Sequence, residues 1–270
     1  MQVSGVELFT SSAHKDPAGF YAEVGAWWDK FAVEKPEERC RHEIASERIG
    51  NRRGWKPSQT LWRTNLAALL EECGVLYVPK PMFAGPAAVF PLFDHERRLT
   101  HLRLNPFYEI LGQDGALMKY IKTGKGKDAH DPAMFGQSLQ TITAMIKYRS
   151  VLFVEGYYDL LACRLLHPDV PVLSTGSKSI NDKQRWFCQM AGVRKLHVMF
   201  DRDSAGETAS KIVRHVTAKK ERTLNLEVVE HLCPAPDPSA ALQDLRSAKG
   251  LQALLYSIYP GEMKEYTDEL

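Results

Sequence analysis

The C-terminal half of the chain alternates short apolar runs with helical patterns. The apolar runs predict four strands, at Val151–Val154, Val170–Ser174, Lys195–Phe200 and Leu224–Val229. The segments between the strands and after them predict helices at Tyr158–Leu166, Asn181–Ala191 and Ala205–Lys219. Ala240–Tyr259 is predicted to form one or two closing helices. Strands and helices that alternate at this spacing are typical of a parallel sheet with right-handed crossovers.

The N-terminal half follows a different pattern. Residues 1–75 are predicted to be mainly helical, with one helix over Ser58–Cys73 and a basic, glycine-containing loop at Arg48–Lys56 before it. Three short strands are then predicted, at Val75–Val78, Ala88–Phe93 and Leu99–Leu104. Asp94–Arg97 is predicted to connect the last two strands as a hairpin. Tyr120–Phe135 has lysines and glycines without an apolar period, which predicts a loop. We therefore divide the chain into regions 1–75, 76–149, 150–232 and 233–270.

Composition places the chain among ordinary globular proteins. Of its 270 residues, 44% are hydrophobic and 25% are charged, which is enough to bury a core. No apolar stretch approaches the roughly 20 residues of a membrane helix, and the N-terminus lacks a secretory signal pattern. Five scattered cysteines suit reduced thiols better than a disulfide framework. We expect a cytoplasmic protein with no membrane partner.

Charge is distributed unevenly along the chain. The net charge is only +2, but residues 97–149 contain nine Lys or Arg against four Asp or Glu. A basic stretch beside an acidic pocket suits an enzyme that handles polyanions. A solvated basic surface accounts for the same charges equally well.

Two of the predicted strands lead directly into carboxylates. Glu155 and Asp159 follow the first strand, and Asp201 and Asp203 follow the third. Open α/β sheets place their ligand sites at the carboxyl ends of the strands, and converging carboxylates suit Mg²⁺. Two divalent ions held in this way can activate a hydroxyl and stabilise the charge that develops on a reacting phosphate. The alternative is that these acids belong to surface turns and to the start of a helix.

Six segments, in order, resemble the catalytic core of bacterial DnaG-type primases, which contain a Toprim domain. They are Phe90–Asp94 (FPLFD), Met118–Ile121 with Met134–Gly136, Val154–Asp159 (VEGYYD), Leu173–Ser177 (LSTGS), Asp201–Gly206 (DRDSAG) and Pro234–Ser239 (PAPDPS). The resemblance implies an α/β Toprim fold, a Rossmann-like parallel sheet flanked by helices, preceded by a mixed α+β primase-type N-terminal subdomain. Regions 150–232 and 233–270 would then be the Toprim domain and its helical closure.

The resemblance also implies a set of site residues. Catalytic roles fall to Glu155, Asp201, Asp203 and Lys119, and metal binding falls to Glu155, Asp159, Asp201, Asp203 and Asp237. Nucleotide or nucleic-acid contacts fall to Lys122, Lys125, Lys127, Arg97, Arg98, Arg103, Gly176 and Ser177. From the residues alone, the lysines of the loop and the arginines of the strand are equally well explained as solvated surface charges. Asp159 is also explained as a residue of the first helical turn.

Three departures from the family pattern shape the functional expectation. Pro236 and Ser239 replace the lysine and the second acid of the KDPDE segment, and Arg202 replaces the central glycine of DGD. No zinc-ribbon spacing and no G-x-x-x-x-G-K-[ST] occurs, so we expect no bound zinc and no fused helicase motor. A separate helicase or zinc-binding initiation protein would then guide the enzyme, or initiation is relaxed. Such a core fits a phage or mobile element.

The leading hypothesis is a primase-like nucleotidyltransferase. It would make short RNA primers on single-stranded DNA from NTPs, with Mg²⁺ or Mn²⁺ as cofactor. Two alternatives stay open: a Toprim nuclease that uses the same acids, and a nucleic-acid-binding homologue without catalysis.

Overall fold

The computed structural model describes residues 38–55, 59–78, 86–95, 99–107, 121–123, 133–176, 180–201 and 226–261. The helices in these ranges are α1 (Glu38–Arg53), α2 (Gln59–Glu72), α3 (Leu139–Tyr148), α4 (Tyr157–Leu166), α5 (Asp182–Met190), α6 (Pro238–Ala241) and α7 (Leu245–Ile258). The strands are β1 (Leu76–Val78), β2 (Ala87–Phe93), β3 (Leu99–Pro106), β4 (Ile121–Thr123), β5 (Ser150–Val154), β6 (Val172–Ser174), β7 (Lys195–Met199) and β8 (Glu227–Glu230). Within them, no helix combines the length and apolar character needed to cross a bilayer.

Strands β1 to β4 form an antiparallel sheet in sequence order. The hairpin between β2 and β3 is confirmed, with Ala88 opposite Asn105 and Phe90 opposite Arg103. Leu102 and Leu104 of β3 are buried, so Arg103 and Asn105, which alternate with them, lie on the other face of the strand.

Strands β5 to β8 form a parallel sheet in the order β6-β5-β7-β8. All five residues of β5 are buried because the strand is covered on both faces, which explains its uninterrupted apolar sequence. Leu152 and Val154 join the core on one face, whereas Val151 and Phe153 join the core on the other. The predicted α/β fold, a parallel sheet flanked by helices and preceded by a mixed α+β part, is confirmed.

A short segment joins the two sheets. Met134 pairs with Phe93 at the end of β2, and Phe135 pairs with Ser174 at the end of β6. Gln137 reinforces the junction, since its Nε2 donates to the carbonyl oxygens of Phe93 and Asp94, each at 3.0 Å. The end of β2 therefore lies beside the carboxyl end of β6.

Two predicted loops were wrong. Arg48–Lys56 was predicted as a loop, but α1 continues to Arg53 because Ala45 and Ile49 are fully buried on one side of it. Tyr120–Phe135 was also predicted as a loop, but it contains β4, whose backbone pairs with Leu102–Leu104. Helix α3 was not predicted, and the predicted helix Ala205–Lys219 lies outside the described residues.

Candidate active site

Glu155 and Asp201 follow neighbouring parallel strands. Glu155 comes directly after β5, and Asp201 comes two residues after the end of β7. These strands pair in parallel, with Val154 opposite Met199, so both acids lie at one edge of the sheet. The local sequence explains this placement, because each buried apolar run ends where the charged residue meets the cleft.

Asp159 and Asp237 each lie at the start of a helix. Together with Glu155 and Asp201 they form what we call the acidic wall. Asp159, in the first turn of α4, accepts a hydrogen bond at Oδ2 from the Gly156 N–H at 2.8 Å and at Oδ1 from the Ser239 N–H at 3.1 Å. Asp237 is the N-cap of α6, and its Oδ1 accepts from the Ala240 N–H at 2.6 Å. Asp159 therefore links the start of one helix to the start of the other.

Burial and the neighbouring carboxylates raise the pKa of the Asp159 carboxyl. Burial is the main cause and, together with the negative charges of Asp237 and Asp201, raises the pKa of the Asp159 carboxyl to about 7. The N–H groups of Ser239 and Gly156 oppose this rise but do not cancel it. Without a cation, the surroundings of Asp159 therefore favour the protonated carboxyl more than water does.

Three arginines line the same cleft as the acids. The cleft has a volume of about 430 Å³, and its charged lining residues are Arg52, Arg53, Arg103, Glu155, Asp159, Asp201 and Asp237. The Arg53 guanidinium lies over the Tyr158 ring, with Cζ 3.7 Å from the ring centroid. A cleft with carboxylates and guanidinium groups can hold a metal ion and a phosphate at once.

Two tyrosines, Tyr157 and Tyr158, line the cleft beside the charged groups. Burial raises the pKa of Tyr158 to about 12, so its hydroxyl stays protonated and donates to Asn105 Oδ1. Gly176, with φ of +63°, lines the cleft above Tyr157, and a Cβ there would lie 2.6 Å from the tyrosine hydroxyl oxygen. The positive φ and the close approach of Tyr157 both favour glycine at this position.

The donor chemistry of the acidic wall fits a divalent cation. Glu155 and Asp201 line the cleft with Oε2 and Oδ1 buried, and carboxylate oxygen atoms are the ligands that Mg²⁺ prefers. Within the described ranges, no three His, Cys, Asp or Glu side chains are grouped closely enough to share one ion. The cation and its substrate phosphates would complete the coordination.

Comparison with known proteins agrees with this geometry. A family model described as Toprim-like matches residues 152–240, which contain Glu155, Asp159, Asp201 and Asp237. This part of the chain is therefore similar to a Toprim domain. A search of curated proteins finds no match.

Solved structures resemble nearly the whole chain. The RNA polymerase domain of Mycobacterium tuberculosis primase DnaG has 16% identity and a TM-score of 0.57, with 89% of this chain and 83% of that chain covered. A DnaG primase catalytic domain bound to single-stranded DNA has 12% identity and a TM-score of 0.54, with 90% and 83% covered. The Aquifex aeolicus primase has 16% identity and a TM-score of 0.50, with 88% and 67% covered. The chain therefore has the fold of a DnaG-type primase catalytic core.

The structure brings together six of the residues predicted for the site. The cleft is lined by Glu155, Asp159, Asp201, Asp237, Gly176 and Arg103. The backbone of Lys122, in β4, pairs with Arg103. The other predicted site residues lie outside the described ranges: Asp203, Lys119, Lys125, Lys127, Arg97, Arg98 and Ser177.

Arg52, Arg53 and Asn105 were missed by the sequence reasoning. Arg52 and Arg53 end α1, about 100 residues before the first Toprim acid, and no local pattern connects them with it. Asn105 had a usable signal, because it lies two residues after the predicted Arg103 and therefore shares its face of β3.

Proposed function

We propose that this protein is a primase-type nucleotidyltransferase that joins NTPs on a single-stranded DNA template. The observation that carries the proposal is the cleft itself. Toprim acids that follow neighbouring strands, Glu155 and Asp201, share it with the arginines of α1 and β3. The primase-core fold supports the proposal, since one of the matched primase domains is bound to single-stranded DNA.

Mg²⁺ or Mn²⁺ would be held by the carboxylates of the Toprim domain. Glu155 and Asp201 offer buried oxygen atoms, and Asp203 and Asp237 are proposed as further ligands. The bound metal would lower the pKa of the attacking hydroxyl and stabilise charge on the reacting phosphate. Asp159, already bonded to two backbone N–H groups, would release its proton as the cation approaches and then hold the two helix starts together.

The arginines would bind the anionic reactants. Arg52, Arg53 and Arg103 lie in the same cleft as the acids, where guanidinium groups can bind triphosphate or template phosphates in a bidentate manner. The stacking on Tyr158 restricts the Arg53 guanidinium, so less side-chain entropy is lost when a phosphate binds. Lys119, Lys122, Lys125, Lys127, Arg97 and Arg98 are proposed to extend this contact along the template. A separate helicase or zinc-binding protein is proposed to supply the initiation site.

The direct test is nucleotide incorporation. The purified protein, incubated with single-stranded DNA, labelled NTPs and Mg²⁺ or Mn²⁺, should produce short oligonucleotides. Glu155→Gln and Asp201→Asn should each lower the rate by about 10²–10³-fold, because each removes a charge that stabilises the transition state. Glu227→Gln removes an exposed carboxylate on β8 that pairs with Lys195, and it should leave the rate unchanged.

Two outcomes contradict the proposal. One is the absence of product with wild-type protein, and the other is equal activity of wild type and Glu155→Gln. Metal-dependent degradation of the DNA without NTPs would instead identify a Toprim nuclease.

A further inference from the structure

A short strap connects the basic end of α1 to the Toprim domain. We define the strap as Arg52–Trp55. Gly54 turns the chain with φ of +65°, and the Trp55 N–H returns to the Gly50 carbonyl oxygen at 3.1 Å, which ends the helix. Trp55 then leaves α1 and packs, partly buried, against the core that contains α4 and α7.

The strap is fastened to the start of α6 by the Trp55 indole. Trp55 Nε1 donates to the Ser239 carbonyl oxygen at 3.0 Å and lies 3.3 Å from Ser239 Oγ. The indole meets the Tyr158 ring edge-on, with centroids 6.4 Å apart. A second fastening comes from Gln243, whose Nε2 donates to the Arg53 carbonyl oxygen at 3.0 Å.

Ser239 stands where the resemblance to primases expects a second acid. It is only 5% exposed, its N–H donates to Asp159, and its carbonyl oxygen and hydroxyl contact Trp55. It is also two residues from Asp237, the N-cap of α6. The position therefore holds the acidic segment in place rather than offering a carboxylate to a cation.

We propose that Trp55 is a positioning residue for the metal site. Its indole N–H fixes the backbone of Ser239, and this contact sets the position of Asp237 relative to Arg52 and Arg53 in the cleft. The role of the cations in this cleft rests on the proposed function. Binding of Mn²⁺ to the protein alone can nevertheless be measured without any reaction.

The test replaces Trp55 by phenylalanine, which keeps an aromatic ring against Tyr158 but removes the N–H. Trp186→Phe is the matched control, because Trp186 lies on α5, is 46% exposed and does not line the cleft. Gln243→Ala removes the second fastening at an exposed position, so it serves if Trp55→Phe does not fold. Binding of Mn²⁺ to the full chain is followed by electron paramagnetic resonance, and thermal unfolding is recorded in EDTA.

Trp55→Phe should raise the half-saturating Mn²⁺ concentration about fivefold, as expected for one lost hydrogen bond. Gln243→Ala should change it in the same direction, about twofold, and Trp186→Phe should leave it unchanged. The proposal is overturned if Trp55→Phe, or Gln243→Ala in its place, binds Mn²⁺ like wild type. It is also overturned if Trp186→Phe shows the same shift, or if the shift disappears after correction for unfolded protein.

Nucleotide incorporation separates this proposal from the proposed function. If wild type binds Mn²⁺ but makes no oligonucleotide, the primase proposal fails and the Mn²⁺ titration alone decides the role of Trp55. If wild type incorporates NTPs, Trp55→Phe should need about fivefold more Mn²⁺ for half-maximal rate, and an unchanged requirement counts against the positioning role.

Discussion

Asp159 is under conflicting demands at the scale of a single residue. Its two oxygens accept backbone N–H groups from the starts of two helices, which favours the charged carboxylate. Its burial and the neighbouring Asp237 and Asp201 favour the protonated form. These effects dominate, so the pKa of the Asp159 carboxyl rises to about 7. A cation that binds in the cleft would reverse this balance.

We predict that Asp159→Asn makes the metal-free protein less sensitive to pH. The native pKa of about 7 lies above the ordinary value of 3.8, so the proton contributes stability below about pH 4, and this contribution is lost as pH rises through 7. Asparagine keeps an acceptor oxygen without the charge. Thermal unfolding in EDTA between pH 5 and pH 8 should show a smaller loss of stability in the variant.

The comparison with the variant is necessary because other groups make contributions to stability that change with pH in the opposite direction. Burial, with the nearby His231 and Lys195, lowers the pKa of His197 to about 4, so its contribution to stability increases with pH. Asp159→Asn leaves that contribution in place. Identical pH profiles for the two proteins would refute the role assigned to Asp159, and added Mg²⁺ should flatten the wild-type profile.

At the scale of elements, a partly buried ion pair holds helices α2 and α4 together. Arg164 of α4 donates through Nη2 to Glu72 Oε2 at 2.7 Å, and through Nη1 to Thr141 Oγ1 of α3 at 3.0 Å. Ser138, the N-cap of α3, also donates to Glu72, at 2.5 Å. Three helices from both halves of the chain therefore meet at one charge pair.

The two ends of this pair should respond differently to mutation. The Arg164 side chain is 2% exposed and the Glu72 side chain is 25% exposed. Glu72→Ala leaves a buried guanidinium with one partner fewer and should cost about 3 kcal/mol of unfolding free energy. Arg164→Met leaves a partly solvated carboxylate and should cost less, about 1–2 kcal/mol. Urea denaturation of both variants measures the order, and the reverse order would contradict this explanation.

At the scale of the whole molecule, the two sheets are joined through the segment from Met134 to Gln137. Gly136 makes this passage possible, with φ of +95°. A Cβ at this position would clash with the Leu160 side chain and would lie 3.2 Å from the Val172 carbonyl oxygen. The close approach of this segment to α4 and β6 therefore depends on a residue without a side chain.

We predict that Gly136→Ala destabilises the protein more than Gly192→Ala does. Gly192 also has positive φ, +76°, but a Cβ there would meet nothing within 4 Å. Gly192→Ala should therefore cost about 1 kcal/mol from backbone strain, and Gly136→Ala about 2–4 kcal/mol from strain and crowding together. Chemical denaturation measures both, and equal losses would show that the junction has room to adjust.

The parts of the site that could be predicted are those that depend on the local pattern of apolar and charged residues along the chain. Glu155 and Asp201 each follow an apolar run, so the strand period alone places them at the sheet edge. The contact of Trp55 with Ser239 joins residues 184 positions apart, and no local pattern encodes it. Helix α3 was missed although its sequence is amphipathic and begins after an N-cap residue, Ser138. Strand β4 was missed because its three residues, Ile121–Thr123, are too few to show a strand period.

The Phe135 bridge also bears on self-association. In the described part of the parallel sheet, β6 and β8 are the outer strands, and an uncovered outer strand can recruit a strand from another molecule. Phe135 occupies the β6 side, since its N–H and carbonyl oxygen both bond to Ser174. On the opposite side, β8 begins and ends with Glu227 and Glu230, whose charges disfavour intermolecular pairing. We therefore expect the contact that joins the two sheets also to disfavour strand pairing between molecules.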